Sequence, residues 1–256
     1  MKTFITFLKK EILEQLRTHR IMILGLIFIF FGILNPLTAK ITPMLLEMLS
    51  DSMASSGIIV EEVEITALDS WMQFYKNLPM LLIIFVFMQS SIFTKEYQKG
   101  TLTLVLTKGF ERYKIVLTKV ITITFVWTIG YLICFGITYV YSWYFWDNSI
   151  VNNLLFSALI WWIFGIFVIT LYTLLTINFE NNGGALAITG GLVFGMYLLG
   201  LLPKINQYLP TLLTNGNSLN KGLEEVGYYI PSLIITGCLS ILFLIGSILI
   251  FNKKKL

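Results

Sequence analysis

The chain has 256 residues, 56% of them hydrophobic and only 12% charged, with a mean hydropathy of +0.80. A soluble domain carries about 25% charged residues, so there is too little polar surface here to cover a water-soluble globule of this size. The net charge is +4, and the two cysteines, Cys134 and Cys238, both lie inside apolar runs; a disulfide framework or a cysteine metal site is excluded, and small packing residues are expected.

Residues 1–20 carry seven charges and lack a small-residue cleavage site, so a mature polytopic membrane protein is expected. Phe4, Leu8, Ile12 and Leu16 recur at helical spacing with Ile5 beside them, while Lys9, Lys10, Glu14 and Arg17 fill the other faces. The pattern predicts a helix lying in the membrane interface. His19, the single histidine, sits beside Arg20 at the membrane edge as an interfacial polar residue. A first apolar run follows at about 21–38, long enough to span a bilayer.

Residues 39–76 form a long polar interval. Met44, Leu45, Met48 and Leu49 suggest a short amphipathic helix, and the partial alternation over Ile58–Ile65 suggests a β-hairpin or extended piece. Further runs of spanning length lie at about 77–94, 120–142, 151–177, 185–202 and 231–251. Between the second and third runs, residues 94–119 carry six basic and two acidic residues. Within them Thr101 can cap a helix whose Leu102, Val105 and Leu106 share one face, and Gly109 stands where a helix-ending glycine belongs. A second helix restarts near Glu111 and runs through Lys119 into the third span. Such a capped and stopped segment makes a compact knob, which a passive connector does not require.

In the fifth run Gly183, Ala187, Gly191 and Gly195 recur every four residues, a ladder that lets another helix approach closely in lipid. Intramolecular packing and a seam between two chains both remain open at this point. The connector 203–230 is bounded and interrupted by Pro203 and Pro210, with Pro231 just beyond it; its apolar pieces suit a segment dipping back into the membrane where protein covers its backbone.

The charges predict the topology. With both termini inside, the inner segments hold fourteen basic and five acidic residues, and the outer segments four and nine. Lys and Arg favour the cytoplasmic side. Aromatic clusters at Trp71, Phe74 and Tyr75, at Tyr141, Trp143, Tyr144 and Trp146, and at Tyr228 and Tyr229 are expected at the outer interface. No ionisable residue lies well inside the six runs, which argues against an ion-driven pump. There is no GxxxxGK[ST] phosphate loop, no HExxH and no Cys/His cluster, so neither catalytic nor metal-ligating residues are expected.

The chain resembles the permease subunits of ABC-2 type ATP-binding-cassette transporters over essentially its whole length. The most telling local match is Glu96, then Gly100-Thr101, an apolar run, Arg112 and later Lys119. Such permeases commonly place a proline turn before the arginine; here Lys108-Gly109-Phe110-Glu111 takes that place. The resemblance implies an all-α polytopic fold forming a single transmembrane domain over 1–256, with an interfacial helix at 1–20 and outer segments at 39–76 and 203–230. It implies a coupling segment that docks on a separate cytoplasmic ATPase through Glu96, Gly100, Thr101, Leu102, Val105, Leu106 and Arg112. Two such ATPases, carrying ATP and magnesium, would drive two permease chains, this chain holding no cofactor itself. Gln89, Ser90, Thr189 and Met196 would line the conduit between the permeases.

The expected function is ATP-driven export of an amphipathic or hydrophobic substrate, such as a small membrane-active or antimicrobial peptide, from a bacterial cell. The acidic outer segment suits a cationic peptide, although topology alone also accounts for its charge. The alternatives are a non-transporting scaffold or sensor that recruits an ATPase, and a membrane-embedded lipid-modifying enzyme. The last lacks a catalytic carboxylate or histidine at membrane depth.

Overall fold

A computed structural model of the chain describes residues 2–53, 64–92, 106–107, 109–179 and 181–254, without the side chains of residues 2–3 and 46–53. These residues form helices α1 (Lys2–Arg17), α2 (Arg20–Met53), α3 (Ala67–Gln89), α4 (Arg112–Phe145), α5 (Leu154–Phe179), α6 (Asn182–Leu199), α7 (Pro203–Asn206), α8 (Gly216–Asn220) and α9 (Val226–Lys253). Short 3-10 turns cover Asn148–Ile150 and Pro210–Thr214. No strand occurs among the described residues. The protein is an all-α polytopic membrane protein: α2, α3, α4, α5, α6 and α9 are long and apolar enough to cross a bilayer.

The span boundaries differ from the sequence expectation. α2 does not stop near residue 38 but continues to Met53 through Pro36 and Pro43, absorbing the short helix expected around Met44–Leu49. Pro36 cannot donate to the carbonyl of Gly32, four residues back. The Thr138 hydroxyl of α4 donates to that oxygen instead, at 3.2 Å, which lets the helix run on. α3 begins at Ala67, ten residues before the expected 77. Its first turn is polar but closed by a capping box, with Asp69 Oδ2 accepting from the Thr66 N–H at 2.9 Å. The β-hairpin expected over 58–65 lies largely outside the described residues.

α5 is the centre of the bundle. Its most apolar stretch is 61% buried, against 11% for α6 and for α9, so those two helices form the periphery. Two glycines set the close approaches. A Cβ on Gly130 would stand 2.3 Å from the Phe28 ring, and one on Gly165 would stand 2.4 Å from the Trp127 ring. Phe28, Phe85 and Trp127 then pack edge-on or tilted at centroid separations of 5.2–6.3 Å, joining α2, α3 and α4. A buried polar knot ties the same helices: Asn77 Nδ2 donates to Asn35 Oδ1 at 2.8 Å, and Asn35 Nδ2 to Thr138 Oγ1 at 3.1 Å.

The expected aromatic belt is only partly an interface. Trp143 and Tyr144 are exposed, but Trp71, Phe74, Tyr75 and Tyr229 are buried in the core. The physical reason is that α3 starts early, so its aromatics pack on Tyr131 and Phe135 of α4 instead of facing lipid. The connector beyond α6 folds back onto α5 and α9, burying Pro210, Thr211, Leu212, Leu213, Gly216, Leu219 and Asn220. Its carbonyls find side-chain donors. Trp161 Nε1 donates to Thr214 O at 2.9 Å, Tyr229 OH to Asn215 O at 3.0 Å and Ser232 Oγ to Leu209 O at 2.6 Å.

Candidate functional site

Six spans bring both termini to one end of the bundle, here called the terminal end. α1 lies across it. The apolar stripe expected to define this helix is not its packed face. Phe7, Glu11 and Gln15 point inward, while Ile5, Leu13 and Leu16 are about half exposed and Phe4, Leu8 and Ile12 are half-buried. The buried set mixes one ring with a carboxylate and an amide four residues apart. Polar partners inside the protein hold that face, which leaves the apolar side chains outermost, as suits an interfacial helix.

The inward polar groups, with others from α2, α4 and α5, meet the last residue of α3 and the three that follow. Gln15 Nε2 of α1 donates to Gln89 Oε1 at 2.9 Å. Tyr172 OH of α5 donates to the Ser90 carbonyl at 2.9 Å. Arg20 of α2 donates to Ser91 Oγ. Lys119 Nζ of α4 donates to the Ile92 carbonyl at 3.1 Å and pairs with Glu11 of α1 at 3.3 Å. Lys119 is 1% exposed and Glu11 4%. A buried ammonium of this kind holds its charge at tolerable cost only when paired and hydrogen-bonded, as it is here.

The knob expected between the second and third spans is described only at its later end. Glu96, Gly100, Thr101, Leu102 and Val105 lie outside the described residues. Leu106 and Thr107 are helical, and Gly109 follows at φ 80°, its N–H donating to the Leu106 carbonyl at 2.9 Å. That left-handed conformation is why a glycine stands there. Phe110 packs on Phe7 of α1 with centroids 4.8 Å apart. Glu111 precedes α4 and takes a hydrogen bond from Lys114 Nζ at 2.8 Å, which holds its carboxyl below the usual carboxylate range.

Arg112 turns toward the chain's own C-terminus. Its Nη1 donates to the carbonyls of Phe251 at 3.4 Å, Asn252 at 3.3 Å and Lys254. Carbonyls at the end of a helix run short of helical partners, although the Phe251 oxygen also accepts from the Lys254 N–H at 3.3 Å, and a cation is favoured there. Lys254 in turn donates to the Ile177 carbonyl at the end of α5. Arg112 therefore fastens α4 to α9, whatever else it meets.

The four residues expected to line a conduit separate. Thr189 lies in an apolar groove of about 420 Å³ between α3, α5 and α6, lined among others by Leu82, Phe87, Trp161, Phe164 and Phe194. Gln89 and Ser90 are buried at the terminal end and hydrogen-bonded there, away from that lining. Met196 lies on another face of α6, beside Gly191 and Gly195. Among the described residues no other helix packs on the small-residue ladder: Gly183 and Ala187 are exposed, and a Cβ on Gly191 or Gly195 would meet nothing within 4 Å. Of the two readings left open for the ladder, intramolecular packing is the one the described residues do not support.

Gln15, Arg20, Glu11 and Tyr172 were not singled out from sequence. Glu11 and Gln15 did carry a signal, since they stand four apart on one side of an amphipathic helix. Tyr172 carried none, because a tyrosine in a long apolar run usually reads as packing.

Helices, buried amides and hydroxyls, a paired ammonium and an apolar lateral groove define an all-α multi-pass membrane protein whose buried ion pair lies at the terminal end. Residues 58–256 match the family DUF2705, described as a protein of unknown function, and the chain belongs to that family. No curated protein matches the chain.

Proposed function

We propose that the chain is the permease subunit of an ATP-driven ABC-2 type exporter, working as a pair of permeases with two cytoplasmic ATPase subunits in a bacterial cell membrane. The terminal end is then cytoplasmic, as the excess of Lys and Arg in 1–20, 94–119 and 253–255 favours. The observation that carries the reading is that the exit of α3, where the coupling segment begins, is hydrogen-bonded by α1, α2, α4 and α5 together. A chain driven from outside needs such an attachment, and this one has no phosphate loop with which to drive itself.

The groove between α3, α5 and α6 supports an amphipathic or apolar cargo, a small membrane-active peptide above all. Its lining is aromatic and aliphatic, and Thr189 is among its few polar side chains. The unoccupied ladder on α6 supports pairing with a second permease, of the same or a different kind.

Affinity purification of the tagged full chain from its native membrane tests the reading. An ABC-type ATPase is expected to co-purify, with hydrolysis stimulated by cationic amphipathic peptides and the stimulation reduced by Glu96→Gln. Recovery without an ATPase overturns the permease reading. Recovery with an ATPase that no peptide or drug-like amphiphile stimulates favours the recruiting scaffold.

A further inference from the structure

Residues 89–92 have a property that the docking reading does not require. They are consecutive, and each is bonded by a different helix: Gln89 by α1, Ser90 by α5, Ser91 by α2 and Ile92 by α4. Two of the four contacts are made to main-chain carbonyls, those of Ser90 and Ile92, so they act on the backbone path itself. A helix usually ends by satisfying its last carbonyls with its own turn, a cap or water. Here Ser90 keeps that local arrangement, its N–H and its Oγ both bonding Phe87 O at 3.2 and 2.7 Å, and the adjoining groups go to four separate elements.

The bonds also sit where they are protected. Gln89 is 1% exposed, Ser90 7% and Ile92 8%. Lys119 closes the circuit, since its ammonium joins Ile92 to Glu11 and thus α4 to α1 a second time. α1, α2, α4 and α5 thereby meet through a four-residue piece of backbone at the mouth of the 93–105 segment.

We propose that residues 89–92 are a mechanical junction, with Gln15, Arg20, Lys119 and Tyr172 as positioning residues that make α1, α2, α4 and α5 move as one with the exit of α3. A displacement applied to the segment that follows is delivered to four helices at once rather than down α3 alone. This deepens the permease reading and rests on it for the source of the displacement. The sharing among helices is a property of this chain by itself.

Amide hydrogen exchange on the full chain in lipid nanodiscs tests the junction without any partner. Tyr172→Phe keeps the ring and removes one donor from α5; Gln15→Met keeps the length and removes one from α1. Losing one such bond is expected to speed exchange at residues 89–92 by roughly fivefold. The junction further requires reciprocity. Tyr172→Phe must speed exchange in α1 and in the first turns of α4, and Gln15→Met must do so at the end of α5. Bonds that merely stabilise their own helices confine each change to the mutated helix and 89–92, and that result overturns the proposal.

Lys119→Met is less suitable alone, because it removes one of the cations beside the buried Glu11 and leaves Lys10, at 3.1 Å. The same two conservative variants, assayed with any co-purified ATPase, separate the two ideas. Reciprocal exchange without an ATPase leaves the junction standing and removes its supposed driver. An ATPase that co-purifies while exchange stays local keeps the permease and removes the junction.

Discussion

Gly165 and Gly191 are the same residue type under opposite constraints. At Gly165 of α5 an added methyl would meet the Trp127 ring of α4 at 2.4 Å. Gly165→Ala is expected to destabilise the chain by about 1–3 kcal/mol through overpacking, read as a lowered thermal midpoint in nanodiscs. Gly191→Ala meets nothing within 4 Å and should leave that midpoint unchanged. Equal midpoints for the two variants would mean that the Trp127 ring yields freely. The Lys119–Glu11 pair supplies a second contrast. Lys119→Met leaves a carboxylate 4% exposed and should lower stability by about 3–5 kcal/mol, toward the lower figure because Lys10 remains beside it. Replacing both partners, as Glu11→Leu with Lys119→Met, should recover much of the loss. A double variant as unstable as the single one would show that the ammonium's bond to Ile92 outweighs the pair.

Among the spanning helices, α6 commits few residues to its own chain. Ala185 and Thr189 are its buried residues, and the remainder faces the groove or the outside. In a bilayer, close helix pairing depends on shape and small residues rather than on an aversion to water, because lipid is as apolar as leucine. If the chain pairs with a second copy through α6, as proposed, Gly191→Leu is expected to reduce crosslinked pairs of the chain in native membranes while leaving the isolated chain's thermal midpoint unchanged. An unaltered crosslinked fraction would place the seam elsewhere. α1 teaches a different lesson. Its sequence periodicity identified an amphipathic helix, but the face that packs contains Glu11 and Gln15. Apolar periodicity reports which side avoids water, and beside a membrane that side can be turned to lipid.

Across the whole molecule, the features legible in the sequence are those set by composition and length: an all-α chain, six spans and a glycine stop at residue 109. Run lengths set by hydropathy missed the start of α3, since Trp71, Phe74 and Tyr75 are buried between polar neighbours and only the partner surfaces of α4 make that favourable. They missed the continuation of α2 for a related reason: Pro36 reads as a stop unless Thr138, more than a hundred residues later, is known to take up the freed carbonyl. The sequence singled out Arg112 and Lys119 through the resemblance, and the structure gives both of them partners within the chain. Those partners were not legible, because Glu11, Ile92 and the carbonyls of 251–254 are remote in sequence. Pattern shows that a polar group needs a partner, and only three-dimensional packing chooses it.

The folded-back connector has a consequence for how the protein is made. Its carbonyls at Leu209 and Asn215 are answered by Ser232 and Tyr229, which belong to α9 and leave the ribosome after every other described helix. Arg112 likewise waits for the carbonyls of residues 251–254. Until α9 has been made, groups at both ends of the bundle stand open, so a nascent chain halted before residue 226 is unfinished on both sides of the membrane. α9 thus acts as the fastening that closes the two ends together.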